Sequence, residues 1–269
     1  MSLKKIANFF AVLLLVVYTF WWVWLAFFVS PESSYRHGFS ITYGVIAGYG
    51  GFLGLIIARK FGGLKSYVGK SLIFFSLGLL GQFFGQLAYD VEYYITYVEN
   101  AYPSYGEIFF FSSIPFYIFG VWYIGKASGW GVSLRSLRNK IGSIIFPIII
   151  VAISYFMFIK GSDFTGQSLI AIILSFAYPI GQAIFVSLAL LAYYLSGNVL
   201  GGAMKNRVIF ILFSLVFQYV ADTVFLYKTI QGTWMQADFS EYLFALSYAL
   251  MTFAIIEFLV VYHQLEDKK

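Results

Sequence analysis

The amino-acid sequence predicts an all-α membrane protein: eight transmembrane helices as two parallel four-helix repeats, N-in and C-in. Three observations predict it. Eight apolar runs are each long enough to cross roughly 30 Å of hydrocarbon as a helix. Fourteen of the 17 lysines and arginines fall on one side of the resulting topology. Polar landmarks of the first half recur in the second at an offset of about 135 positions.

Composition sets the class. The 269 residues are 61% hydrophobic and 11% charged, which leaves too little polar surface to cover a water-soluble domain. The net charge of +5 is therefore an orientation signal rather than a nucleic-acid signal. The absence of cysteine excludes disulfides, thiol catalysis and cysteine-ligated metal centres. Two histidines, His37 and His263, lie far apart in sequence, so no multi-histidine metal site and no cofactor are expected.

The first run, near 6–29, follows Lys4 and Lys5. It is too long for a secretory signal, and no small-residue cleavage site follows "FFVSPESS", so it is read as a retained span. Its outer end carries "FWWVW" (20–24), where indoles favour the headgroup level. The second, near 39–58, holds Gly44, Gly48, Gly50, Gly51 and Gly54, a stripe for close packing inside the fold or in a homodimer. The third, near 71–95, ends in acids and tyrosines. The fourth, near 107–125, opens on Glu107 and contains Pro115. The fifth, near 141–160, contains Pro147, and the sixth, near 168–195, contains "YPIGQ", in which Pro179 frees a carbonyl near Tyr178. The seventh, near 207–228, carries Asp222, and the eighth, near 241–263, carries Glu257 close to its inner end. Short joins rich in turn formers ("SPESS", "KFGG", "NAYPS", "SGWG", "KGSD", "SGN", "QGT") leave no linker or second domain, so 1–269 reads as one transmembrane domain.

With the N-terminus inside, only Arg36, Lys160 and Lys228 among the basic residues face outward. The positive-inside rule then puts both termini in the cytoplasm of a multi-pass cell-membrane protein. Most acids, including those of "GQLAYDVEYYITYVENAYPSYGEIFFFSSIPF" (85–116), face the other way.

Repeat 1 spans 1–135 and repeat 2 spans 136–269. "ITYG" (41–44) answers "FAYP" (176–179). Gly78, Gln82, Gly85, Gln86 and Tyr89 fall on Ser214, Gln218, Ala221, Asp222 and Phe225; Glu107 falls on Glu241 and Ser113 on Ser247. Each unit has an even number of spans, so the copies enter from the same side and are related by an axis along the membrane normal. Positions 78, 82, 85, 86 and 89 share one helix face, small and polar in both copies. These two faces are expected to turn inward, toward each other.

Asp222 lies about fifteen residues past Arg207, roughly 22 Å along the helix axis, where an acid must be paired, protonated or hydrated. Gln82, Gln86 and a tyrosine are its expected partners. It either fixes packing through an interhelical hydrogen bond or contacts a ligand or proton. Gln86, Asp90 and Glu107 are expected to rim a cavity between the halves, with Gln82, Tyr89, Tyr178, Gln182, Gln218, Asp222 and Glu241 as the other ligand-binding residues.

The run from Gly85 to Gly120 resembles the polytopic membrane sensor domains found N-terminal to many bacterial diguanylate cyclases and histidine kinases. Gly85-Gln86, Pro103-Ser104, Gly106-Glu107, Phe110-Phe111 and Ile114-Pro115 stand where that family has a small residue and Asp late in a span and, after an aromatic-rich turn, "PS", small-Asp, "YL" and "YPL". "YPIGQ", "ADTVFLYKTIQGTW" and "SEYLFALSYAL" resemble its later part, and the match covers about two-thirds of the chain. Gln86, Gln182, Glu107 and Glu241 replace the family's usual Asp; Asp222 keeps it. The resemblance implies a receptor module that binds a small ligand or lipid from the outer side. The family usually continues into a cytoplasmic output domain. This chain stops at "YHQLEDKK", so the signal is expected to pass to a separate cytoplasmic or membrane protein.

A transporter or channel subunit is the first alternative, because parallel repeats, kinked helices and a buried acid serve transport too. A structural subunit of a membrane complex is the second. No catalytic set of side chains is visible, and no mid-span lysine could carry retinal, so an enzyme and a retinal protein are not expected.

Overall fold

Hydrocarbon offers no partner to a backbone amide, so a chain this apolar must satisfy its peptide groups inside helices. The computed structural model, which describes residues 3–97, 102–133, 135–160, 165–196 and 202–266, is 85% helix. Its helices are α1 (Leu3–Phe28), α2 (Tyr35–Ser40), α3 (Val45–Lys60), α4 (Tyr67–Thr96), α5 (Glu107–Ala127), α6 (Trp130–Ser133), α7 (Leu137–Ser154), α8 (Leu169–Ser196), α9 (Gly202–Ile230) and α10 (Phe239–Glu266). Among the described residues, eight segments are long and apolar enough to cross a membrane. They coincide with the eight expected spans. Two depart from a plain helix. The second is interrupted between α2 and α3 at residues 41–44. The fifth ends in a π-helical turn, Tyr155–Ile159, directly after α7. The expected joins at 98–101, 161–164 and 197–201 lie outside the described residues.

Six helices form a closed circuit. α3 packs on α4, α4 on α5, α5 on α8, α8 on α9, α9 on α10, and α10 back on α3. α1 lies against α10 and α3, and α7 against α8. α10 is central and α1 peripheral: 72% of the apolar window of α10 is buried, against 17% for α1.

The circuit has a basic and an acidic end. At the basic end Lys4 and Arg207 meet Glu257, at 2.8 and 3.8 Å, and Lys60 sits over the Tyr262 ring. Glu257 thus joins α1, α9 and α10 rather than only resting at the interface; the side chain of His263 lies outside the described residues. The acidic end gathers Asp90, Glu92, Glu107, Asp238 and Glu241 together with Arg36 and Lys228.

Glycines decide how closely the elements approach. In α3, a Cβ at Gly54 would stand 2.2 Å from Ser76 Oγ on α4, and one at Gly50 would stand 2.0 Å from Thr252 Oγ1 on α10. The stripe is therefore used within the fold, as the slot that admits α3 between its two neighbours. On α4 two of the small positions receive rings. Gly78 faces Tyr117 and Gly85 faces Phe110, while Gly120 of α5 faces Phe75 in return. Such knobs lock α4 to α5 beside the hydrogen bonds from Ser71 to Gly120 O and from Gln82 to Ser113.

Gly78→Val tests that lock, because its Cβ would lie 2.2 Å from a ring atom of the fully buried Tyr117. Overpacking of this kind costs about 1–3 kcal/mol. Equilibrium unfolding in mixed micelles should register that loss; unchanged stability would disprove the ring-in-slot account.

Candidate functional site

The site is assembled at the acidic end from segments far apart in sequence. Asp238 starts α10: its Oδ1 accepts hydrogen bonds from the Ser240 amide at 2.8 Å, the Ser240 hydroxyl at 2.5 Å and the Glu241 amide at 3.3 Å. This is the N-cap chemistry of an Asp-x-x-Glu start. The other oxygen of Asp238 pairs with Lys228 Nζ at 2.8 Å, which closes the turn between α9 and α10. The cap aims Glu241 into the bundle, where its Oε2 accepts the Ser40 hydroxyl at 2.6 Å and the Ala237 amide at 2.8 Å. Glu241 is 4% exposed.

Arg36 lies beside it, itself 4% exposed. Its guanidinium donates to five carbonyls: Leu25 at 2.8 Å, Ser30 at 3.0 Å, Val29 at 3.1 Å, Ala237 at 3.3 Å and Gln236 at 3.4 Å. It thus satisfies the last carbonyls of α1 and ties that helix to the turn before α10. The Trp22 indole donates to Asp238 O at 3.2 Å, and Gln236 Nε2 lies 3.2 Å from His37 Nδ1.

Glu107 is the first residue of α5, and Glu241 the third of α10. Its carboxylate accepts the hydroxyl of Tyr178 from α8. The Tyr178 ring meets Phe111 edge-on at 5.5 Å. Near this carboxylate Glu92 accepts the Tyr105 amide at 2.6 Å.

Deeper, amides run through the circuit. Gln82 donates to Ser113 Oγ at 2.7 Å on α5 and accepts from Tyr248 OH at 3.0 Å on α10. Gln218 accepts from Ser247 Oγ at 2.6 Å and donates to Asp222 Oδ1 at 3.3 Å. Gln86 donates to Asp90 Oδ1 at 3.0 Å, the same one-turn geometry in α4. Tyr43 and Tyr248 stack with their planes 8° apart.

The expected residues therefore fall into separate groups. Gln82 meets α5 and α10; Glu107 meets Tyr178. Gln86 with Asp90, and Gln218 with Asp222, pair within single helices. Glu241 joins the Arg36 cluster. Gln182 is buried in α8, and Tyr89 is half-buried in α4. Asp222 differs from expectation: its partner is Gln218 one turn earlier, not Gln82 or Gln86. The amide faces of α4 and α9 turn to α5 and α10 rather than to each other, because serines and Tyr248 on those helices stand nearer.

Sequence reasoning passed over Ser40, Tyr43, Asp238 and Tyr248. Two signals for them exist. "DFSE" at 238–241 has the spacing of a helix start, and Tyr43 stands at the position matched to Tyr178. Among the described residues no three metal-ligating side chains cluster. The arrangement offers carboxylate and amide acceptors at one end of the circuit, facing hydroxyl donors. That suits a small ligand with hydrogen-bond donors. Compared with known protein families, curated proteins and solved structures, the chain matches none.

Arg36→Lys keeps the charge, but three donors on a flexible stem cannot serve five carbonyls. The variant should lose about 1–3 kcal/mol of stability. Thermal unfolding in detergent is the measurement, and a melting curve identical to the parent's would contradict the role given to the guanidinium.

Proposed function

We propose that the chain is a sensor-like membrane receptor module. It binds a small ligand between its two four-helix halves at the acidic end, and that end faces outward. The observation that carries this reading is a reciprocal exchange of hydroxyls. Tyr178 of the second half donates to Glu107 of the first, and Ser40 of the first half donates to Glu241 of the second. The two carboxylates hold matched positions, and each takes its donor from a helix of the other half. The circuit supports the repeat in the same way: α3, α4 and α5 meet in the same order as α8, α9 and α10, and α5 meets α8 as α10 meets α3. The acidic and basic ends support an outward acidic face.

A ligand bearing hydrogen-bond donors would replace a protein hydroxyl at one carboxylate. The contact between the halves would loosen there, and α5 or α10 would shift. Both helices run to the basic end, where a separate protein would read the shift. The ligand must bind one helix arrangement better than the other for this to signal. Ionisable groups buried between membrane spans are costly, so a buried polar cluster there is a functional candidate by default.

Native mass spectrometry of protein gently extracted from its own membranes tests the reading. A small molecule should be retained by the parent and weakened roughly tenfold or more by Glu107→Gln, since charge-assisted hydrogen bonds contribute about 1.5–3 kcal/mol. Asp222→Asn should alter the ligand response as well. Retention of a protein partner with no small molecule would shift the function to assembly. Ligand flux across vesicles would shift it to transport.

A further inference from the structure

We infer that the basic end carries a site for the phosphate of an anionic membrane lipid, formed by Lys70 and Lys126 along the seam of α4 and α5. The two lysines come from opposite helix ends, Lys70 from the start of α4 and Lys126 from the end of α5. Both ammonium groups lie over the same ring, Tyr67, at 5.9 and 5.8 Å from its centroid. Lys70 also lies 5.3 Å from the Tyr123 centroid, and Lys126 lies 5.2 Å from that of Trp122. Like charges brought to one ring repel. Among the described residues, neither ammonium forms an ion pair with a carboxylate. Lys70 also sits near the positive end of the α4 dipole, where a cation is disfavoured and an anion favoured. Rings recover part of this cost by cation–π attraction, but an anion between the ammoniums would recover more.

The surroundings select a lipid rather than a free anion. From the lysines an aromatic wall runs toward the middle of the span. Tyr67 stacks on Tyr123 at 6.3 Å, Tyr123 on Phe74 at 5.6 Å, and Phe74 lies 5.2 Å from Phe119 and 6.3 Å from Phe116. Phe119, Trp122 and Tyr67 are exposed. A headgroup phosphate on the ammoniums would therefore lay its acyl chains along that wall. Basic sites between helices at the membrane surface hold anionic headgroups in this manner.

The test uses the full chain in nanodiscs of phosphatidylcholine doped with phosphatidylglycerol, followed by native mass spectrometry of the extracted protein. The parent should retain phosphatidylglycerol in preference to phosphatidylcholine. Lys70→Gln with Lys126→Gln should lower that retention roughly thirtyfold, at about 1 kcal/mol per lysine. Lys70→Arg with Lys126→Arg should keep it. Arg59→Gln with Lys65→Gln removes the same charge from exposed positions nearby and should also keep it. Retention by the double glutamine variant, or equal loss in the Arg59 and Lys65 control, would overturn the site. Glycerol 3-phosphate should fail to displace the lipid; displacement at comparable concentration would overturn the lipid in favour of a free phosphate.

Discussion

The fold depends on one closure, between residues 36–40 and residues 236–241. These segments are some 200 positions apart, yet Arg36, Ser40, Ala237 and Glu241 interlock there. Without this closure α10 would have no polar reason to seat against α3, and the six-helix circuit would be an open row. Hydrocarbon cannot drive helices together by excluding water, so packing and hydrogen bonds must do it. The closure supplies both: glycines that admit α3 beside α10, and a buried acid whose acceptors are filled from either side.

Not every polar residue in the circuit bears on this. Ser76, Ser187 and Thr252 each donate to the carbonyl one turn earlier in their own helix, to Leu72, Ala183 and Tyr248. Such hydroxyls satisfy themselves and hold nothing together. Gln82, Gln218, Ser40 and Tyr178 differ because their partners lie on other helices. Their bonds constrain relative helix position, and only such bonds can be exchanged for a ligand with mechanical consequence.

The eight spans were legible because a membrane imposes length and apolarity directly on sequence, helix by helix. Glu107 and Glu241 were legible because they hold matched places at helix starts. The partner of Asp222 was not, because a glutamine one turn away competes with any amide on a distant helix, and sequence carries no distance between helices. Ser40 and Tyr248 were equally hidden. Serine and tyrosine are common in membrane helices, and only the closure of α10 on α3 makes Ser40 the donor to Glu241 and brings Tyr248 to Gln82. The break at 41–44 was read as continuous helix, since its residues are apolar enough to continue one; it faces α1, where Thr42 O accepts the Tyr18 hydroxyl.

The α3–α10 and α5–α8 contacts are unequal, and the inequality has a direction. At the α3–α10 contact, Arg36, Ser40, Trp22 and His37 all bind the segment from Gln236 to Glu241. The position matched to Arg36 in the second half is Ala171, which has no donor to offer. The α5–α8 contact accordingly rests on Tyr178 with Glu107 and on ring contacts such as Tyr117 on Phe185 at 5.8 Å. One tyrosine hydroxyl is easier to displace than a guanidinium held by five carbonyls. If the halves move against each other, the α5–α8 contact is the one that opens and the α3–α10 contact is the hinge. Under the receptor reading proposed above, a ligand would then act at Glu107, while Glu241 keeps the molecule closed.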